Sequence, residues 1–294
     1  MKIYDCTTFY SEKMMLDVRF NVLNQNVHKF IIVESSFSHS GEKKNFNFNI
    51  NDYPNFKDKI IYLQIDKEPL DLCKDPEKLK NSGYKRLNSI KRIEQSYDYM
   101  MKGILEAKEN DLIIISDNDE IPNLNSNKFK KSNKDFFIFK QLLFYYKFNL
   151  FHELMPWFGS KACKKKYLKS FSNLRNLKNK KYPIWRIDTF LSDIKKINLD
   201  IIDDGGWHFT NIKTPEDLFI KMKNFGHHDE FDECDLTVED LKEKINNGLV
   251  FYNHFADKTS ANKWKYNYKL KKIDNKMLPN YLIQNENSLR EWFS

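Results

Sequence analysis

The chain has 294 residues, enough for one large α/β domain or two smaller ones around a substantial core. With 40% hydrophobic and 15% aromatic residues and only 8 Gly and 8 Pro, it is neither collagen-like nor low-complexity. The formal net charge of +8 points to an anionic partner: nucleic acid, a phosphorylated ligand or an acidic membrane surface.

The cations are spread along the chain and are densest from Lys161 to Lys181. A solvated basic surface accounts for them more simply than a nucleic-acid groove. Cys6, Cys73, Cys163 and Cys234 stand far apart with no C-x-x-C spacing. That gives no support for zinc or redox motifs and fits a reducing compartment. The N-terminus lacks the apolar core of a signal peptide, and no apolar run reaches the ~18 residues of a membrane span. The expectation is a soluble cytoplasmic protein without a transmembrane segment, with peripheral membrane contact left open.

In chain order, Lys2 to Cys6 reads as a first strand, with Thr7 to Glu12 as the loop at its end. Ser11 is placed to cap a helix carrying Met14, Met15, Val18 and Val22 and running to about Asn24. His28 to Ser36 is a second strand ending in Glu34-Ser35-Ser36, so the opening pattern favours a βαβ unit. Phe37 to Phe56 reads as a loop with Gly41 at a turn, Lys59 to Gln64 as a third strand, and Asp66 to Ser82 as a charged excursion. Tyr84 to Lys108 reads as one helix whose stripe of Leu87, Ile90, Ile93, Tyr97, Met100, Met101, Ile104 and Leu105 faces the core. Gly103 inside it costs about 1 kcal/mol against Ala.

Asp111 to Pro122 organises the rest. Leu112 to Ile115 form an apolar run too short for a helix and suited to a buried strand of a parallel sheet. It stops at Ser116, and Asp117, Asp119 and Glu120 follow. In open α/β sheets ligands bind beyond the carboxyl ends of the strands. Crowded acids there need a compensating cation or many donors. Carboxylates are hard ligands for Mg²⁺ or Mn²⁺, so the simplest use of the site is to hold a metal against a diphosphate. A capping turn in solvent is the plainer alternative, and an aspartyl phosphatase with Asp117 as nucleophile is another.

Phe136 to Phe151 is strongly aromatic and reads as buried strand, and Trp185-Arg186-Ile187 as a further strand. Ile201 to Thr210 is a second focus. Gly205 and Gly206 allow close backbone approach. Trp207 and His208 beside carboxylates suit sugar stacking and metal or proton chemistry, with a glycine turn before a strand as the plainer alternative. Thr214-Pro215-Glu216-Asp217 starts a helix through Phe219, Met222 and Phe225 to Gly226, after which His227 to Asp232 sets two histidines beside three acids. Thr237 with Asp240 caps another helix to Asn247. Leu278 to Ile283 is apolar enough to dock.

In this order the residues resemble glycosyltransferase family 17, whose best-known members are β-1,4-mannosyl-glycoprotein N-acetylglucosaminyltransferases. Tyr4-Asp5-Cys6 with Phe9, Glu12, Leu16 and Arg19 matches the family's first strand and helix. Val33-Glu34-Ser35 with Gly41 matches its second strand. Ile115 to Pro122 matches its acidic signature, and Tyr145-Tyr146 with Asn149 its aromatic strand. Gly206 to Thr210 with Lys221 and His227 matches a later block, and Leu278 to Leu282 its C-terminal segment. Two departures stand out. The family often carries an Arg near the position of Tyr97, where the nearest here is Arg92. After His227 the spacing lets either Asp229 or Glu230 take the family's acidic position.

The resemblance implies a GT-A-type fold with a mixed, largely parallel sheet flanked by helices. It implies inverting transfer from a UDP-sugar, UDP-N-acetylglucosamine in known members, to a glycan carried by protein, lipid or polysaccharide, with Mn²⁺ or Mg²⁺ as cofactor. Asp117, Asp119 and His208 are the candidate metal ligands. Thr7, Glu12, Arg19, Glu34 and Asp117 are the candidate donor contacts, and Trp207 and His208 the candidate acceptor contacts. Asp204, Asp229 and Glu230 are the candidate bases. The chain is expected to form a single glycosyltransferase domain over residues 1–294, with a nucleotide-sugar half over 1–122, an acceptor-side half over 123–260 and a docking segment over 261–294. No nucleic-acid partner is expected. The competing functions are a basic glycan- or nucleic-acid-binding protein with a degenerate site and the phosphatase using Asp117.

Overall fold

The computed structural model describes residues 1–224, 231, 234–253, 264 and 266–294. Helices flank a large mixed sheet. β1 (Ile3–Phe9) lies between β2 (Lys29–Ser35) and β4 (Leu112–Ser116), and β3 (Ile60–Ile65) follows β2 at the edge, all paired in parallel. β4 pairs antiparallel with β8 (Trp157–Lys164), which pairs antiparallel with β6 (Phe136–Tyr145). β9 (Leu199–Ile202) runs parallel along the first half of β6 and β10 (Gly206–Thr210) along the second. β10 also takes the short β5 (Glu120–Pro122) as an antiparallel neighbour.

The continuous apolar run of β4 is used on both faces. Leu112 and Ile114 pack with Met15, Leu16, Val18 and Phe20 of α1 (Lys13–Leu23). Ile113 and Ile115 pack with Tyr97 of α2 (Ser82–Tyr99) and with Met100 and Ile104, which continue it as a tighter turn. Gly103 sits in that turn because a Cβ there would lie 2.6 Å from Ile31 of β2. The chain steps outward from β1 to β2 to β3, then recrosses to β4 on the other side of β1. That reversal leaves a crevice beyond the carboxyl ends of β1 and β4, the usual ligand position in open α/β sheets.

A third apolar cluster lies on the far part of the sheet. Leu143 and Tyr145 of β6 meet Leu218 and Met222 of α5 (Pro215–Asn224) and Leu241 of α6 (Val238–Asn247). The Thr237 and Asp240 capping box forms as expected. The C-terminal segment docks: Leu278 and Leu282, the latter on α7 (Asn280–Gln284), are buried, and the Tyr281 hydroxyl donates to Asp17 of α1 over 2.7 Å.

Four local expectations change. The first strand extends through Phe9, into the segment read as a loop. Ser11 does not cap α1; the Glu12 carboxylate instead accepts the Tyr10 and Ser11 backbone N–H groups. The long helix is regular only to Tyr99, and Leu87, Ile90 and Leu105 of its proposed stripe are exposed, because only its last turns cross the sheet. Trp185-Arg186-Ile187 is no strand but part of a surface loop with a single tight turn at Ile187–Thr189.

Gly206 has φ of +109° and a Cβ there would lie 2.2 Å from the Ile121 carbonyl oxygen, so both backbone conformation and space demand glycine. Gly206→Ala is expected to lower the unfolding free energy by about 3 kcal/mol in urea titration. Gly248→Ala, at φ of +58° with its nearest neighbour 3.8 Å away, should cost only about 1 kcal/mol.

Candidate active site

The acidic turn is fixed before it meets any ligand. Arg19, fully buried on α1, donates from Nε and Nη2 to the two carboxylate oxygens of Asp5 on β1, at 2.7 and 2.5 Å. Its remaining Nη1 donates to the backbone carbonyls of Glu120, at 2.5 Å, and Asp117, at 3.3 Å. The Phe209 N–H of β10 donates to the Asp119 carbonyl at 2.8 Å. Glu120 is fully buried: it accepts from the Trp157 indole N–H at 2.7 Å and from the Asp117 N–H at 3.1 Å. Burial, then the Asp117 charge, pushes the Glu120 carboxyl above the ordinary range. Gly159 makes room for it, since a Cβ there would lie 2.8 Å from the Glu120 carboxyl carbon.

Asp117 and Asp119 meet different surroundings. Asp117 accepts from the Tyr97 hydroxyl at 3.0 Å and from Arg175 Nη2 at 2.6 Å, and Arg175 Nε also donates to Tyr97 at 2.9 Å. The guanidinium therefore occupies the neighbourhood of Tyr97, where the family resemblance led us to look for an Arg. It comes from α4 (Phe171–Arg175) instead of from α2. Asp119 lies 3.4 Å from His208 Nε2 and 3.8 Å from Lys221 Nζ. Burial opposes its ionisation, but His208 and Lys221 outweigh that and hold the carboxyl far below the ordinary range. The His208 ring lies against Trp157, with centroids 4.4 Å apart, and its Nδ1 is buried without a hydrogen-bond partner.

These residues open on a cleft of about 320 Å³ at the strand reversal. Thr8, Phe9 and Tyr10 line it from the end of β1, and Asp117, Asn118 and Asp119 from the end of β4. Lys44, Arg92, Arg175 and Lys221 bring positive charge to its walls; Val33, Phe37 and Ile93 give it an apolar side. Glu12 joins it from the start of α1, accepting from Asn118 Nδ2 at 2.8 Å. Burial raises the cost of its charge, yet Lys213, Lys221 and these donors hold its pKa below the ordinary range. An ionised acid inside cationic walls can hold a polyanion and its counter-ion together.

Of the expected site residues, the structure brings Glu12, Asp117, Asp119 and His208 together. It places others elsewhere. Arg19 is spent on Asp5 and the turn carbonyls, so it supports the site from behind instead of touching a donor. Glu34 is fully buried and accepts from Lys44 Nζ, the Asn47 and Phe48 N–H groups and the Tyr62 hydroxyl, so it pins the loop after β2. Thr7 is buried within the sheet, and its neighbour Thr8 faces the cleft. Trp207 points to the opposite face of β10 from His208. There it donates to the Met277 carbonyl at 2.7 Å and lines a separate groove of about 450 Å³ with Asn123, Asn280 and Tyr281. Asp204 is exposed beside Asn123, near the far end of β5. Asp229, Glu230, His227 and His228 lie outside the described residues.

For a metal, Asp119 is the carboxylate that fits, with His208 Nε2 turned to the same oxygen. Asp117 fits less well, because both its oxygens already accept from Tyr97 and Arg175. Among the described residues no group of three or more His, Cys, Asp or Glu side chains converges on one point.

Composition hid the most informative partner. Arg175 stands inside a lysine-rich stretch that reads as solvated surface, and the only hint was an Arg among lysines, the residue suited to fork-like carboxylate recognition. Lys221 was visible in the family pattern without a role.

The model of glycosyltransferase family 17 matches residues 1–292. No curated protein matches the chain. The solved structure of HddC from Yersinia pseudotuberculosis complexed with GMP-PN is similar over 75% of this chain and 97% of that one, at 12% identity. Its TM-score of 0.34 is too low to carry any argument about ligand or mechanism.

Arg19→Met leaves Asp5 buried without its cation and frees the turn carbonyls. It is expected to cost about 3–5 kcal/mol in urea unfolding. Asp119, with its folded pKa depressed, contributes stability that is present above its unfolded value near pH 4 and lost as the pH falls below it. Unfolding curves of the wild type and Asp119→Asn should therefore differ at pH 6 and converge toward about pH 2; a constant gap would contradict the assignment.

Proposed function

The chain belongs to glycosyltransferase family 17, and from that premise we propose that the cleft binds a nucleoside diphosphate sugar, best read as UDP-N-acetylglucosamine. The sugar passes with inversion to a hydroxyl of an acceptor glycan. The observation that carries this reading is the pairing of Asp119 with Lys221 and of Asp117 with Arg175 around one cleft at the strand reversal. The parallel order of β3, β2, β1 and β4 supports a GT-A-type nucleotide site.

The parts divide by chemistry. Val33, Phe37 and Ile93 give the apolar wall against which a base packs, and Lys44 and Arg92 lie beside it for the ribose and phosphate edge. Asp119 with His208 Nε2 would hold Mn²⁺ or Mg²⁺. The ion, when bound, neutralises charge on the departing UDP as a Lewis acid. Lys221, 3.8 Å from Asp119, adds a second positive charge on the leaving-group side. Arg175 and Tyr97 hold Asp117 still and keep the acids of the turn from splaying apart by their own repulsion. The buried Glu120 braces the same turn from beneath.

Inversion needs a base opposite the leaving group. Asp204 does not line the cleft, and Asp229 and Glu230 follow in sequence the helix whose Lys221 and Asn224 do, which favours one of these two as the base. Trp207, in its amide-lined groove, would contact acceptor sugars away from the donor. A cytoplasmic setting belongs to the same proposal and is supported by cysteines that are few and far apart in the sequence. Among the described residues no helix is long and apolar enough to cross a membrane.

Calorimetric titration with UDP-N-acetylglucosamine, with and without Mn²⁺, tests the reading. Metal-dependent binding should weaken about 10- to 100-fold in Asp119→Ala and survive in Asp204→Ala. Replacing the true base, in Asp229→Ala or Glu230→Ala, should lower turnover by about 10²–10⁴ with donor affinity kept. Binding of the donor that is indifferent to Asp119→Ala would sink the proposal.

A further inference from the structure

Between α4 and β9 the chain makes a surface loop whose base is closed by the Lys178 N–H donating to the Ile194 carbonyl at 2.8 Å. It has internal order. The Arg186 guanidinium donates twice to Asp188, each time at 2.7 Å, and the buried Thr189 hydroxyl donates to the Arg186 carbonyl at 2.6 Å. Its tip, however, is turned inside out. Ile184, Trp185, Ile187, Phe190 and Leu191 are 76, 77, 76, 70 and 89% exposed. Five large apolar side chains within eight positions exceed the scattered exposure that a soluble surface tolerates.

The charge around the tip is mostly positive. Lys178, Lys180 and Lys181 precede it and Lys195 and Lys196 follow. Both acids of the segment are already paired, Asp188 with Arg186 and Lys195, and Asp193 with Lys169. Protein interfaces are depleted in lysine. An apolar tip with Trp, collared by lysines, matches instead the layering of a bilayer: acyl chains, the interfacial zone that indoles favour, and anionic headgroups.

We propose that residues 182–191 insert into the interface of an anionic membrane, with the flanking lysines on its headgroups. The docking does not depend on the transferase reading. If that reading also holds, the acceptor is presented at a lipid surface, because Arg175, which grips Asp117 at the cleft, lies just before the base of the loop.

Flotation with vesicles tests this directly. Wild type should float with phosphatidylcholine vesicles carrying about 30% phosphatidylglycerol, much less with phosphatidylcholine alone, and less at high salt. The variant Trp185→Ser/Phe190→Ser/Leu191→Ser should bind at least about tenfold more weakly. It should keep the wild-type melting curve, since the three side chains touch little of the protein. Asp119→Ala should float like the wild type, which separates docking from donor binding. Wild type that stays out of every vesicle fraction, or a triple variant that floats equally, overturns the proposal. So does a wild-type dimer in solution that the triple variant converts to monomer, because the tip would then join copies of the chain.

Discussion

A single buried guanidinium ties the sheet to its site. Arg19 neutralises Asp5 in the middle of β1 and, with the donor left over, holds the carbonyls at both ends of the Asp117–Glu120 turn. Charged groups so deep are costly to desolvate, and the fork-to-carboxylate geometry with every nitrogen engaged is what offsets that cost. The same contact joins α1, β1 and the end of β4. The turn therefore inherits the rigidity of the sheet, and carboxylates that would otherwise splay apart stay at one place in the crevice.

Within that turn, three neighbouring acids meet different surroundings. Asp117 is ion-paired with Arg175 and accepts from Tyr97, His208 and Lys221 hold the Asp119 carboxyl far below the ordinary range, and burial pushes the Glu120 carboxyl above it. Lys44, Arg92, Arg175 and Lys221 set cations in the cleft walls where a diphosphate can meet them, and the net charge of the chain is positive as well. On one side this basic surface carries an apolar tip, and there the two features together describe a lipid boundary better than either describes solvent.

Much of this was legible in the residues themselves. An apolar run ended by Ser116 and followed by acids locates the end of β4, because strand burial and ligand chemistry obey short-range rules. Gly206 was readable as a tight approach for the same reason. What escaped was long-range. Arg175 reaches Asp117 across 58 positions, and nothing local distinguishes it from its lysine neighbours. Arg19 and Glu34 were recognised as site-associated from the family pattern, but whether they face ligand or protein depends on packing that spacing does not encode. Trp207 and His208 are adjacent, so a strand necessarily sends them to opposite faces; only the partners of β10 decide which face holds the acids. Trp185 to Ile187 has strand-like composition, yet among the described residues it pairs with no strand.

The most direct measurement is a crystal structure of the protein soaked with UDP-N-acetylglucosamine and Mn²⁺. The diphosphate is expected beside Asp119 and Lys221, with the ion on the Asp119 carboxylate and the base toward Val33, Phe37 and Ile93. A diphosphate bound elsewhere, for example in the groove beside Trp207 and Tyr281, or a cleft that stays empty at saturating donor, would contradict the assignment of the acidic turn as the donor site.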